Sequence, residues 1–381
     1  MTSLRYLEKW VLADLERKMV FLGGPRQVGK TTLAKGILAK YNLSEDIAYR
    51  NWDILSDRKE LLQERLPLDP PLIALDEIHK FVRWRSFVKG FYDRYSPHRS
   101  LLVTGSARLD HFRKGGDSLQ GRYHYYRLHP LSVSELLEHH KDSFDLERLL
   151  KFGGFPEPYF SASERDWRRW QLERQSRILY EDLRDLERVQ EITKVELLVD
   201  ALPSRVGSPL SLKSLAEDLL VAHSTVERWL GILENLYLCF RISPFGSPKI
   251  RAVKKEQKIY LWDWSVIEDA GARFENLVAS HLLKYCHFVQ DTDGHLMELR
   301  FVRDTDKREV DFVVLKNKKP IFAVEAKVSD KSLSPHLRYF AERTEIPKFY
   351  QTHLGSAVYG DPEIEGRVLP FVDLCRELSL P

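Results

Sequence analysis

The stretch Gly24-Pro-Arg-Gln-Val-Gly-Lys-Thr31 constrains this chain more than any other. Its spacing is G-x-x-x-x-G-K-T. An apolar run, Met19–Gly23, leads into it, and the helical run TTLAKGILAKY leads out. In that setting the glycines let backbone N–H groups curl round phosphate oxygens, and the helix N-terminus adds partial positive charge. The residues expected to hold a nucleotide are Gly24, Pro25, Arg26, Gln27, Val28, Gly29, Lys30, Thr31 and Thr32. Lys30 is expected to reach the β- and γ-phosphates, and Thr31 to hold Mg²⁺.

The run Leu72-Ile-Ala-Leu-Asp76-Glu77 supplies the expected partner. Four apolar residues suit a buried central strand, and two carboxylates stand at its end. Asp76 is expected to hold Mg²⁺ through water, and Glu77 to polarise the attacking water as general base. Leu101-Leu-Val-Thr-Gly-Ser106 reads as a third core strand ending in small polar groups. Two roles stay open for Thr104 and Ser106: sensing the γ-phosphate, or capping the next helix. Arg108 and Arg122 are candidates for stabilising charge at the γ-phosphate, in this subunit or a neighbouring one. A surface salt bridge is the alternative for each.

These residues, in this order, resemble the AAA+ class of ATPases. The similarity is closer to bacterial and archaeal ATPases with a C-terminal domain of uncharacterised function (DUF4143-like). It is carried by GGPRQVGKTTL, LIALDEIHK, LLVTGSAR, GRYHYYRLHPLSVSEL and GGFPEP, and it extends over essentially the whole chain. The resemblance implies ATP as the nucleotide and ATP hydrolysis as the activity.

A length of 381 residues exceeds most single cores, so two or more domains are expected. A formal net charge of +3 is too small to argue for nucleic acid by itself, so any basic surface must come from local clustering. Cys239, Cys286 and Cys375 are far apart and lack metal-ligand spacing, which reads as reduced thiols in a cytoplasmic protein. The first residues, MTSLRYLEKWVLADLERK, interrupt apolar positions with charge and read as an amphipathic helix. No apolar run approaches the length of a membrane span.

Leu212–Leu230 has helix-turn-helix patterning, and three short helices are read over 211–240. Leu212, Leu215, Ala216 and Leu219 form one apolar face; Val226, Trp229, Leu230 and Leu233 form another. Ser224 is expected to cap the second helix, with Glu227 completing a capping box. The stretch resembles the winged helix of the same ATPases. Its outer face, His223, Thr225, Glu227 and Arg228, is not notably basic. Lys249, Arg251, Lys254, Lys255 and Lys258 follow. Either this basic edge tracks DNA phosphates, or the module packs between domains and the lysines form a solvated edge.

Near the C-terminus, IFAVEAK puts Glu325 and Lys327 on one side of a strand, because side chains alternate. Asp311 lies in the strand-like run REVDFVVLK, and the turn KNKKP can bring it against Glu325. Glu275 stands near the start of a helix whose buried side carries Phe274, Leu277, Val278 and Leu282. Glu275, Asp311 and Glu325 offer oxygen ligands to Mg²⁺ or Mn²⁺, with Glu325 and Lys327 serving phosphodiester hydrolysis. The arrangement resembles the PD-(D/E)xK nuclease superfamily. The following helix, PHLRYFAER, departs from it by lacking the glutamine common in active members. Three readings stay open: a cutting site, a nuclease-like fold that only binds, and a structural ion pair.

The chain is thus read as an α/β multidomain protein. The expected parts are a P-loop parallel sheet (1–133), a helical lid (134–202), a winged helix-turn-helix (203–248) and a restriction-endonuclease-like α/β domain (249–381). DNA and a second copy of the chain are the expected partners, with no membrane. The expected activity is ATP-regulated, metal-dependent DNA processing or binding. The alternative is a non-cutting ATPase whose C-terminal domain binds nucleic acid or a protein.

Overall fold

The computed structural model describes residues 5–105, 109, 119–183, 191–246, 256–329 and 332–381. Ser106, Arg108, Lys249, Arg251, Lys254 and Lys255 lie outside the described residues. The chain separates into two compact units, Met1–Pro130 and Leu131–Pro381.

In the first unit, short apolar runs become the strands β1 (Met19–Gly23), β2 (Tyr49–Asn51), β3 (Leu72–Asp76), β4 (Ser100–Thr104) and β5 (Tyr123–Arg127). They form a five-stranded sheet of order β2-β3-β4-β1-β5, parallel throughout. A parallel sheet is covered on both faces, which explains why β1 and β3 are buried along their whole length. Phe21, Ile73, Leu75, Leu101 and Val103 pack with Trp84 of the helix Trp84–Tyr95. The N-terminal helix Glu8–Leu15 buries Val11 and Leu15. Register pairs Leu22 with Thr104 and Thr104 with Asp76. The C-terminal ends of β1, β3 and β4 therefore lie side by side, at the edge where open α/β sheets bind ligands. This is an α/β fold with a parallel sheet resembling the P-loop AAA+ core.

The second unit opens with helices Val133–His139, Leu146–Phe152, Pro156–Ser161 and Glu164–Arg177. Ser132, Asp145 and Ser163 cap the first, second and fourth through their side chains. The fourth runs on into a π-helical turn, Ile178–Asp182. Helix Ile192–Ala201 follows, then Leu212–Asp218 and His223–Asn235. Two helices stand where three were expected over 211–240, because Cys239 already begins strand β6 (Cys239–Pro244). Ser224 is not the cap either: Ala222 occupies that position and makes no side-chain bond. Glu227 instead accepts from Arg241 on β6, at 2.8 and 2.9 Å, and Glu234 pairs with the same guanidinium at 2.8 Å.

The remaining strands are β7 (Lys258–Leu261), β8 (Met297–Arg303), β9 (Glu309–Lys316), β10 (Lys319–Ala326), β11 (Phe349–His353), β12 (Tyr359–Asp361) and β13 (Gly366–Pro370). They join β6 in an eight-stranded mixed sheet of order β12-β13-β11-β10-β9-β8-β6-β7. β6 pairs antiparallel with β7 and parallel with β8. One sheet thus runs across the boundary expected at 248/249. The β6–β7 pair covers an edge of the C-terminal sheet. The long helix Ala270–Asp293 buries Phe274, Leu277, Val278 and Leu282. Cys239, Cys286 and Cys375 are free and buried. Among the described residues no helix is long and apolar enough to cross a membrane.

A buried polar knot ties that helix to Val133–His139. Lys284 pairs with Glu135, both almost fully enclosed, and its Nζ donates to Ser132 Oγ at 2.9 Å. Nearby, His281 Nδ1 meets the Leu277 carbonyl at 2.8 Å, and Nε2 accepts from the Val133 N–H at 3.1 Å. That pattern requires a neutral ring, and burial pushes the His281 pKa down to about 3. Lys284→Met alone should cost about 3–5 kcal/mol in urea unfolding, because it strands the Glu135 carboxylate. The double change Glu135→Leu, Lys284→Met should recover most of that loss. Equal losses in both variants would mean that packing, not charge, matters at this point.

Candidate nucleotide site and carboxylate cluster

The loop after β1 depends on glycine at two points. Gly24 has φ +146° and Gly29 φ +103°, both in the left-handed half of backbone space. A Cβ on Gly24 would stand 2.4 Å from the Leu128 carbonyl oxygen, so only glycine fits. Gly29 begins the helix Lys30–Lys40. Lys30 Nζ folds over the loop and donates to the carbonyls of Gly24, at 3.0 Å, and Pro25, at 2.7 Å. From the other side Arg5 donates to the carbonyls of Val28, at 2.6 Å, and His129, at 2.5 Å. Arg5 is itself buried, so it clamps the loop to the segment after β5.

Asp76, at the end of β3, is held by three hydroxyls. Thr31 Oγ1 donates to its Oδ2 at 2.7 Å, Tyr49 OH donates to Oδ2 at 2.7 Å, and Thr104 Oγ1 donates to Oδ1. Thr104 is therefore engaged with Asp76. Burial, then the Asp76 charge, pushes the Tyr49 hydroxyl well above its usual pKa, which keeps it a donor. Glu77 follows in a left-handed conformation, φ 54°, of the kind that collects at functional sites. Burial raises its pKa, with the Lys30 charge opposing. His79 Nε2 lies 3.5 Å from Glu77 Oε2.

Arg122 does not join this group within its own chain. It precedes β5, whose first residue pairs with Met19 at the start of β1. The loop lies beyond the other end of β1, about 13 Å away at roughly 3.3 Å per residue. Arg122 Nε instead pairs with Asp93 Oδ1 at 2.7 Å, the salt-bridge alternative.

In the second unit two of the expected carboxylates, Glu275 and Asp311, converge on a lysine. Lys258, expected on a basic strand edge, is completely buried. Its ammonium lies 3.3 Å from Glu275 Oε1 and 3.6 Å from Asp311 Oδ1, and it pairs with Glu309. Tyr260 OH donates to Glu275 Oε1 at 2.7 Å. Asp311 Oδ2 accepts from the Ala326 N–H at 2.9 Å, and Glu325 Oε2 from the Asp311 N–H at 3.3 Å. Lys327 Nζ pairs with Glu325 Oε1 at 2.6 Å. Burial pulls the Lys258 pKa down, but Glu275, Asp311 and Glu309 outweigh it and hold the lysine charged. Burial followed by the Asp311 charge raises Glu275 to about 7 and Glu325 to about 8.

Among the described residues no group of three or more His, Cys, Asp or Glu is arranged to hold a metal ion. Glu275, Asp311 and Glu325 do not form such a group. Asp311 and Glu325 each turn an oxygen toward a backbone amide, and Glu275 and Asp311 face the Lys258 ammonium instead of a shared open position.

Residues 16–137 match the family model of an AAA domain, 143–273 that of a domain of unknown function (DUF8612), and 270–371 that of another (DUF4143). The chain carries an AAA domain and a DUF4143 domain. Two uncharacterized proteins of Methanocaldococcus jannaschii are each 23% identical to it. One alignment covers 94% of this chain and 87% of the relative, the other 95% and 85%. Among solved structures, the Thermotoga maritima RuvB Holliday junction branch migration motor aligns at TM-score 0.35 and 19% identity. That alignment covers 62% of this chain and 89% of the other. The Aeropyrum pernix ORC1 protein in complex with DNA aligns at 0.34 and 14%, over 73% and 94%. At such scores the likeness adds nothing to the fold, which the sheet order itself carries.

The AAA domain brings Lys30, Thr31, Asp76, Glu77 and Thr104 to one sheet edge. Arg5 and Tyr49 belong with them, and neither stands out in sequence, since their partners lie in distant elements. Lys258 had a discoverable signal: in Lys-Ile-Tyr-Leu, period two puts Lys258 and Tyr260 on one face of a short strand. Lys258→Met should destabilise the second unit by about 3–5 kcal/mol in urea, because three acids lose their shared cation. Glu275 and Glu325 have folded pKa values above the usual 4.5, so the folded state holds their protons more tightly than the unfolded chain. Stability should therefore fall as pH rises from 4.5 through about 7 and about 8. Glu325→Gln should flatten the upper part of that slope in urea midpoints taken across the range.

Proposed function

We propose that this chain is an Mg²⁺-dependent ATPase whose turnover acts on a C-terminal module that engages DNA without cutting it. The hydrogen bond between Thr31 and Asp76, 2.7 Å long, carries the first half, because it joins the two side chains that would share the cation. Lys30 would exchange its two loop carbonyls for β- and γ-phosphate oxygens. The loop amides would donate to the same phosphates, with the helix N-terminus behind them. When bound, Mg²⁺ supplies charge that neutralises the phosphate oxygens. Thr31 would ligate it directly and Asp76 through water, with Tyr49 and Thr104 fixing the carboxylate. Glu77 would accept a proton from the attacking water, and His79 would orient it. A neighbouring copy would supply the arginine that Arg122 of the same chain, at the far end of its strand, cannot.

The DNA half rests on the succession of helices Leu212–Asp218 and His223–Asn235, which follows the helix-turn-helix pattern, with His223, Glu227 and Arg228 exposed on the second. The non-cutting half rests on Lys258, which fills the centre of the carboxylate cluster. One observation favours metal-dependent cutting instead: the Glu325–Lys327 pair lies beside Asp311 on adjoining strands. Lys30→Ala should abolish ATP turnover. Glu77→Gln should keep nucleotide binding while slowing hydrolysis by about 10²–10⁴-fold; unchanged turnover in either variant would remove the site assignment. Plasmid and single-stranded DNA, with Mg²⁺ or Mn²⁺ and with or without ATP, should stay intact. Cleavage by wild type that is lost in Lys327→Ala would establish the cutting reading. Absence of salt-dependent duplex binding in fluorescence anisotropy, with either nucleotide, would remove the DNA half.

A further inference from the structure

Within the second unit, one buried guanidinium makes no ion pair within 4 Å among the described residues, although the Asp263 carboxylate acts on it from farther off. Arg174, on the helix Glu164–Arg177, is only 7% exposed. Its guanidinium lies 4.4 Å from the centre of the Phe155 ring and 5.5 Å from that of Trp170. Those ring faces favour a cation but accept no N–H hydrogen bond of ordinary strength. Nε and Nη2 have no hydrogen-bond partner among the described residues. An unpaired buried guanidinium is costly, and such a group is normally matched by an acid.

Two acids stand close by, and both are engaged. Asp263 accepts from the Gln171 amide at 2.5 Å and from Ser265 Oγ at 2.7 Å. Asp200 accepts from the Gln175 amide at 2.9 Å. Arg174 lines a cavity of about 200 Å³ together with Gln171, Gln175, Asp200 and Asp263. The other walls are apolar: Ile178, Val199, Leu238, Leu261 and Val266. Ile178 also begins the π-helical turn Ile178–Asp182, and such turns recur at functional sites. A chamber with apolar walls and a few convergent polar and charged groups is the usual form of a small-molecule site.

We propose that this cavity binds a small organic carboxylate with an apolar body, its carboxylate paired to Arg174 and its body against Ile178, Val199 and Leu261. The size is sufficient, since a cavity of about 150 Å³ already accepts benzene. The two engaged acids select against a doubly charged anion such as phosphate, which they would repel. The site is separate from the nucleotide loop, so this inference stands apart from the ATPase reading.

The test is calorimetric titration of the full chain with benzoate, phenylacetate and octanoate, each beside its neutral amide, and with inorganic phosphate. At least one carboxylate should bind wild type, its amide and phosphate should not, and Arg174→Met should weaken binding at least about tenfold. Arg174→Met should also melt no lower than wild type without ligand, because it removes an unpaired buried charge. Val199→Phe keeps Arg174, fills the chamber, and should block binding, so it decides the matter if the methionine variant fails to fold. Equal binding of acid and amide would overturn the proposal, as would binding that survives both variants. No heat from any of the three carboxylates at millimolar concentration would mean that the cavity holds solvent alone, and would also overturn it.

Discussion

Three hydroxyls from three separate elements meet on one carboxylate, Asp76, and the first unit's site depends on that meeting. Thr31 arrives from the helix after the phosphate loop, Tyr49 from β2 and Thr104 from β4. Each is where it is because the sheet is parallel and in register. Shift β4 by one residue and Thr104 would turn to the opposite face, since side chains alternate along a strand. A carboxylate buried to 2% exposure requires such donors, because burying an acceptor that receives no hydrogen bond is costly. Sheet register therefore sets the position of the carboxylate on which the proposed chemistry rests.

The second unit solves a related problem with a different cation. Glu275, Glu309 and Asp311 come from a helix and a strand that the fold forces together, and their mutual repulsion has to be offset. Lys258 does this from a strand at the edge of the sheet. The same geometry explains why the β6–β7 hairpin belongs with the C-terminal sheet. Its pairing with β8 carries the hairpin in, and the lysine then reaches the acids. Glu325 is served separately by Lys327, so two ammonium groups share the cluster.

Legibility in the sequence followed the range of each interaction. The phosphate loop was readable because its requirements are local: glycines where φ is positive, and a helix directly after a strand. The buried strands at 72–76 and 100–104 were readable because burial on both faces leaves an unbroken apolar run. The apolar face of Ala270–Asp293 was readable from helical periodicity. Helix ends fared worse. Ser224 has the right chemistry for a cap, but the chain turns two residues earlier, at Ala222, and Glu227 is drawn to Arg241. A cap rule sees only neighbours along the chain, while Arg241 lies 14 residues away.

The amino-acid sequence by itself determined the alternation of strand and helix, the loop that fits phosphate, and the carboxylates at the strand ends. These follow from backbone sterics and apolar patterning, which act over a few residues. Tertiary structure alone decided which charges meet. Lys258 and Arg122 are both basic residues beside strands, yet one is sealed among three acids and the other pairs with a surface aspartate at the opposite sheet end from the loop. Nothing local separates them. Burial and the identity of the nearest counter-charge depend on strand order and register, and those are set by contacts between segments far apart in the chain.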